Sequence, residues 1–143
     1  MASLTLAQAQ TIVSAALAFS REHKFSPMGI VVLDARGVPK AYAAEDGTAL
    51  RRYDIAHGKA YGALAMGVGS KTLGLRAVER PHFIGAVNGA IGGTMIPVAG
   101  GVLIRIGGEI VGCAGSTGDS SDNDDLMARA GIAAVPELTA DPS

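Results

Sequence analysis

Apolar residues recur at helical spacing from the start of the chain: Leu6, Ala9, Ile12, Val13, Ala16 and Leu17 fall on one stripe. Thr5-Leu-Ala-Gln8 has the form of a capping box and marks where that helix begins, and the polar group Ser20, Arg21, His23 and Lys24 ends it before Pro27. The period then shortens. Gly29 to Leu33 reads as a strand, Asp34-Ala-Arg-Gly37 as its turn, and Val38 to Ala44 as the return, giving a first hairpin. A second helix is predicted from about Leu50 to Met66; its Gly58 and Gly62 lie four apart, a spacing that lets another backbone, intersubunit or internal, come close. Ser70 is placed to cap a short helix carrying Leu73, Leu75, Ala77 and Val78, and Pro81 separates it from another short helical or irregular turn around Phe83 to Val87. Val102 to Val111 forms a second hairpin around Gly107-Gly108, a pair that tolerates the positive φ of a two-residue turn. After a turn over Gly118 to Asp122, the residues Asp124, Asp125, Leu126, Met127, Ala130 and Ile132 open a terminal helix with acids at its positive end.

The order helix, hairpin, helices, hairpin, helix implies an α+β sandwich built on an antiparallel sheet, not a Rossmann fold. A length of 143 residues fits one domain, 1–143. Twelve basic and 13 acidic residues give a formal charge of −1, so the basic stripe needed to neutralise a phosphate backbone is missing and no nucleic-acid partner is expected. Cys113 is the one cysteine; it lies in a strand-like run and reads as a small buried hydrophobe, which suits a reducing cytoplasm. The first residues carry neither a basic region nor a long apolar stretch, so no secretory signal is read. Residues Ala86 to Ile104 are uncharged, yet five glycines, Asn88, Thr94 and Pro97 interrupt them, and a loop and strand are expected there instead of a membrane span. With aromatics at only 4% and 20 glycines, the core must be made by close backbone approach, and the 48% hydrophobic content points to apolar surface buried between subunits of a homo-oligomer.

Hydrolytic and phosphate-binding motifs are absent, and Gly89-Ala-Ile-Gly-Gly93 lacks both the spacing and the preceding strand of a dinucleotide fingerprint. The acids Asp119, Asp122, Asp124 and Asp125 do not follow a calcium loop and read as a helix start. The second helix holds the chemistry. Arg51 and Asp54 can pair at i,i+3, and Tyr53, His57 and Tyr61 share an i,i+4 face. This pattern describes either a solvated helix with one structural ion pair or a site in which Lys59 and an arginine hold an anion while His57 carries a proton or ligates iron. His82 is a second candidate on a surface segment, and His23 favours the end of the first helix. Tyr61 and Met66 could face a tetrapyrrole, although Met66 suits core packing.

Several segments together resemble the GlcG/HbpS-like family of haem-binding or haem-degrading domains, which is similar to the C-terminal domain of PduO-type proteins. They are Leu4-Thr-Leu-Ala-Gln-Ala, Val31-Val-Leu-Asp-Ala-Arg-Gly37, Asp54-Ile-Ala-His-Gly-Lys-Ala60, Ala99-Gly-Gly-Val-Leu-Ile104, Gly108-Glu-Ile-Val-Gly112 and Asp124-Asp-Leu-Met-Ala-Arg-Ala-Gly131. The resemblance implies a profilin-like antiparallel sheet flanked by helices and assembled as a homo-oligomer. It maps the family's Asp-Ile-Ala-x-x-Lys-Ala pattern onto Asp54 and Lys59 and its glycine pair onto Gly100 and Gly101. Two functions follow from it. One is binding of haem or a related tetrapyrrole, with Lys59, Arg51 or Arg52 receiving propionates and His57 or His82 near iron. The other is a cofactor-independent isomerase, lyase or hydratase for a small carbonyl or carboxylate compound, with Asp54 or His57 moving a proton, Lys59 holding the carboxylate, and backbone amides at Gly100 and Gly101 stabilising an enolate-like oxygen. Both expect a glycine-lined recess, closed by the second helix, that accepts an anion.

Overall fold

A computed structural model describes residues 2–143. Its elements are α1 (Leu6–Glu22), β1 (Gly29–Asp34), β2 (Pro39–Ala44), α2 (Arg52–Met66), α3 (Ser70–Glu79), α4 (Pro81–Ala90), β3 (Gly101–Ile106), β4 (Glu109–Thr117), α5 (Ser121–Ala133) and β5 (Thr139–Ala140). The strands form one antiparallel sheet in the order β2-β1-β4-β3-β5. This is the α+β arrangement expected from the hydrophobic pattern.

Strand chemistry explains the layering. All six residues of β1 are buried, because alternate side chains point to opposite faces and helices cover both. Ile30 and Val32 join Ile12 and Ala16 of α1 and Met127 and Ile132 of α5 in one core. Val31 and Leu33 join Ala56, Ala60 and Ala63 of α2, with Leu103 and Cys113, in the other. Apart from Lys59, the buried residues of α2 are all alanine or glycine. The helix can therefore lie close to the sheet, and it does so where Gly101 and Gly115 leave no side chain between: a Cβ on either would run into the α2 backbone at Lys59 or Ala56. Cys113 is fully buried, and burial pushes its thiol pKa up.

The capping box forms as read, with Thr5 Oγ1 accepting from Gln8 N at 3.1 Å and Gln8 Oε1 accepting from Thr5 N at 3.0 Å. Ser70 differs from its expected role: Gly69 is the N-cap of α3, and no side chain caps it. The Ser70 hydroxyl instead accepts from Gly101 N at 2.7 Å, since a buried strand start has a stronger need for a partner than an open helix end. The segment approaching Gly58 and Gly62 is the chain's own Thr94–Ile96, and Ile96 N donates to Gly58 O at 3.1 Å. Pro81 starts a ten-residue helix, longer than the short helical or irregular turn expected around Phe83 to Val87. It packs with α3 around Leu73, Ile84 and Met95, with Met66 against them. Among the described residues, no helix is long and apolar enough to cross a membrane.

Candidate functional site

Two polar systems sit on opposite sides of α2. On its outer side the i,i+4 spacing places three rings in register: Tyr53 and His57 have centroids 5.7 Å apart, and His57 and Tyr61 are stacked at 5.6 Å with planes 9° apart. Tyr42 extends the row from β2, meeting Tyr53 edge-on at 4.9 Å. Burial, followed by the charges of Tyr53 and Asp54, raises the Tyr42 pKa. Tyr61 donates from its hydroxyl to Ile91 O at 3.4 Å, which ties the far end of the row to α4. His57 is only half-buried. The result is a half-buried imidazole with a phenol ring on either side along the helix.

Cations adjoin this row. Arg51 pairs with Asp54 at 3.3 Å, and both are largely exposed, so the i,i+3 pair read from the sequence is present and Asp54 is engaged there. Arg52 donates from Nη1 to Thr117 Oγ1 at 3.3 Å, while its Nε is buried with no partner among the described residues. Arg52 and the Tyr42 hydroxyl converge over Gly29. A guanidinium with an unpaired buried donor and, among the described residues, no ion-pair partner is suited to an anionic group.

On the inner side Lys59 is 2% exposed. Its Nζ donates to Asp124 Oδ2 at 2.9 Å and to Ser116 O at 3.0 Å. Asp124 Oδ1 in turn accepts from Asp119 N at 3.0 Å. Burial lowers the Lys59 pKa and raises that of Asp124, and each charge opposes the other's shift. Lys59 therefore runs from α2, on one face of the sheet, to α5 on the other. It passes Gly100, whose φ of +134° and missing side chain open the route: a Cβ there would lie 2.9 Å from Nζ.

This corrects the expected recess. Gly100 and Gly101 do not line an opening for a guest; the space beside them is filled by Lys59 and the α2 backbone. The anion that Lys59 meets is the Asp124 carboxylate, and a second one would have to displace it from a buried pair. Asp124 was legible only as a helix-start acid, because nothing local links it to a lysine 65 residues earlier. Tyr42 was equally hidden, since strand periodicity shows that it shares a face but not which helix lies there. Its facing residue in β1, Val31, belongs to the α2 core. His82 is exposed at the first turn of α4, the end opposite Ile91 and the Tyr61 hydroxyl. His23 stacks on Phe19 at 3.9 Å at the end of α1.

Residues 4–133 match the family model described as haem degrading protein HbpS-like. Among solved structures the chain is similar to the PduOC:heme complex, with 21% identity over 96% of this chain and 98% of that one and a TM-score of 0.86. It is similar to HbpS, at 25% identity over 94% and 92% with a TM-score of 0.83. It also resembles protein ORFY of Klebsiella pneumoniae, at 20% identity over 94% and 92% with a TM-score of 0.84. No curated protein matches the chain.

Proposed function

We propose, from the premise that this chain belongs to the HbpS-like family of haem degrading proteins, that it binds haem or a related tetrapyrrole on the outer face of α2. In this reading residues 1–143 act as one domain of a cytoplasmic homo-oligomer. The observation that carries the site is the half-buried His57, stacked on Tyr61 and tilted against Tyr53, beside an arginine whose buried Nε lacks a partner among the described residues.

The residues present fit such a ligand. A macrocycle needs a broad aromatic surface, a nitrogen donor for its metal and a cation for its carboxylates. Tyr42, Tyr53 and Tyr61 would supply the surface, and His57 would supply the donor, with the Tyr61 ring stacked against it. Arg52 receives a propionate, with Arg51 as a second, exposed cation tied to Asp54. When bound, haem supplies an iron centre with one-electron and oxygen chemistry whose potential follows its axial ligand and surroundings. Lys59, Gly100 and Gly101 act one layer away by fixing α2 to the sheet and to α5. The proton-transfer alternative needs Lys59 free to hold a substrate carboxylate, and its pairing with Asp124 removes that role.

Titration of the purified protein with hemin tests the proposal. Wild type should shift the Soret band, His57→Ala should weaken binding and change the band position, and Arg52→Ala should weaken it about tenfold, the equivalent of ~1.4 kcal/mol. His82→Ala should behave as wild type. An unchanged spectrum with wild type removes the proposal, and full binding by His57→Ala moves the ligand to another face.

A further inference from the structure

A cavity of about 300 Å³ lies between the residues that lead into α1 and the β1–β2 turn, bounded by Ser3, Leu4, Asp34, Arg36, Lys40 and Val111. Leu4 and Val111 belong to the core shared with α1, which puts the cavity on the opposite face of the sheet from α2. Its volume is at the lower end of the roughly 300–1,000 Å³ of small-molecule sites, so a guest there is small.

The charges at the cavity are not in balance. Asp34 Oδ1 accepts from Arg36 N at 2.8 Å and Val38 N at 3.2 Å, and Oδ2 accepts from Arg36 Nε at 3.3 Å and Nη2 at 2.9 Å. A carboxylate has about four lone-pair sites, so Asp34 turns no free acceptor toward the cavity, and Arg36 meets its charge. Arg36 keeps Nη1 uncommitted among the described residues. Lys40 is the surplus cation: it is half-buried and, among the described residues, has no ion-pair partner.

The backbone accounts for its direction. Val32 faces Ala41 and Leu33 faces Pro39, so Lys40 is the extra residue of a β-bulge. Bulges take a side chain out of strand alternation and re-aim it, and they recur next to active sites. We infer that this cavity binds a small organic anion, a carboxylate or a phosphate monoester with a short apolar body, whose charged end meets the Lys40 ammonium and Arg36 Nη1. The site lies across the sheet from the aromatic row and stands whether or not α2 holds a tetrapyrrole.

Amide correlation NMR spectra of the protein titrated with benzoate, phenyl phosphate and uncharged benzyl alcohol test it. At least one anion should move the signals of Ser3, Ala35, Arg36 and Lys40 with half-saturation below about 1 mM, and benzyl alcohol should leave them in place. The tighter anion tells a carboxylate guest from a phosphate one. Lys40→Gln should weaken that anion at least tenfold and Lys40→Arg should retain it. Ala35→Trp, at an exposed position of the cavity wall, should block it with Lys40 intact. All three variants should titrate with hemin as wild type does. No saturable shift with either anion up to about 10 mM, undiminished binding by Lys40→Gln, or benzyl alcohol binding as tightly as the anions overturns the inference. Loss of hemin binding in Lys40→Gln would merge the two sites and overturn a separate cavity. A wild type that takes the anion but not hemin removes the function proposed for α2 and leaves this site standing.

Discussion

Lys59 shows how one residue can be read correctly as important and wrongly as exposed chemistry. A lysine in a small-residue helix beside a glycine pair has the look of an anion holder, and it is one, for an internal anion. Removing the ammonium leaves the Asp124 carboxylate buried and unpaired, so Lys59→Met should lose about 3–5 kcal/mol of stability in urea titration. The double replacement Lys59→Met with Asp124→Leu should recover most of that loss and still shift the hemin spectrum. If the double variant folds but no longer binds hemin, Lys59 touches ligand after all. Asp141 is a second informative carboxylate: the Ser143 hydroxyl and the Arg105 guanidinium, acting against burial, bring its pKa down to about 2 from an ordinary 3.8. A depressed folded value means its stabilisation is complete above the unfolded pKa and fades as the pH falls through the folded one. Stability should therefore drop between about pH 4 and pH 2, and Asp141→Asn should flatten the part of that acid limb due to this group.

At the level of elements, glycines with the same sequence appearance do opposite things. Gly101 starts β3 directly against the α2 backbone, whereas Gly85 sits on α4 with nothing within 4 Å of an added Cβ. Gly101→Ala should destabilise by at least about 1–3 kcal/mol through overpacking, while Gly85→Ala should stabilise by up to ~1 kcal/mol because alanine is the better helix former. Thermal unfolding of the two variants should move the midpoint in opposite directions; equal shifts would mean that α2 does not lie on the sheet as described. The cap of α1 is a milder case, since Thr5 is exposed and satisfies a helix donor that water could also reach. Thr5→Ala should cost about 1 kcal/mol.

Over the whole molecule, the homo-oligomer of the proposed function has a thermodynamic signature of its own. Because association stabilises only the folded chain, the unfolding midpoint of wild type should rise with protein concentration. A midpoint independent of concentration for wild type would place assembly outside the stability of the fold. The sequence by itself determined the local elements, and with them the α+β class: the Thr5 cap, the period-3.6 stripe of α1, the glycine turn at Gly107-Gly108 and the apolar run of β1 are each set by residues within a few positions of one another. It also placed Tyr53, His57 and Tyr61 on one line, because helical spacing alone does so. Only the tertiary structure decided that Lys59 crosses the sheet at Gly100 to reach Asp124, that Tyr42 completes the aromatic row, and that the glycine pair is filled and not hollow. Periodicity tells which face a residue occupies, but what stands opposite that face depends on packing between segments far apart in the chain, and no local pattern encodes it.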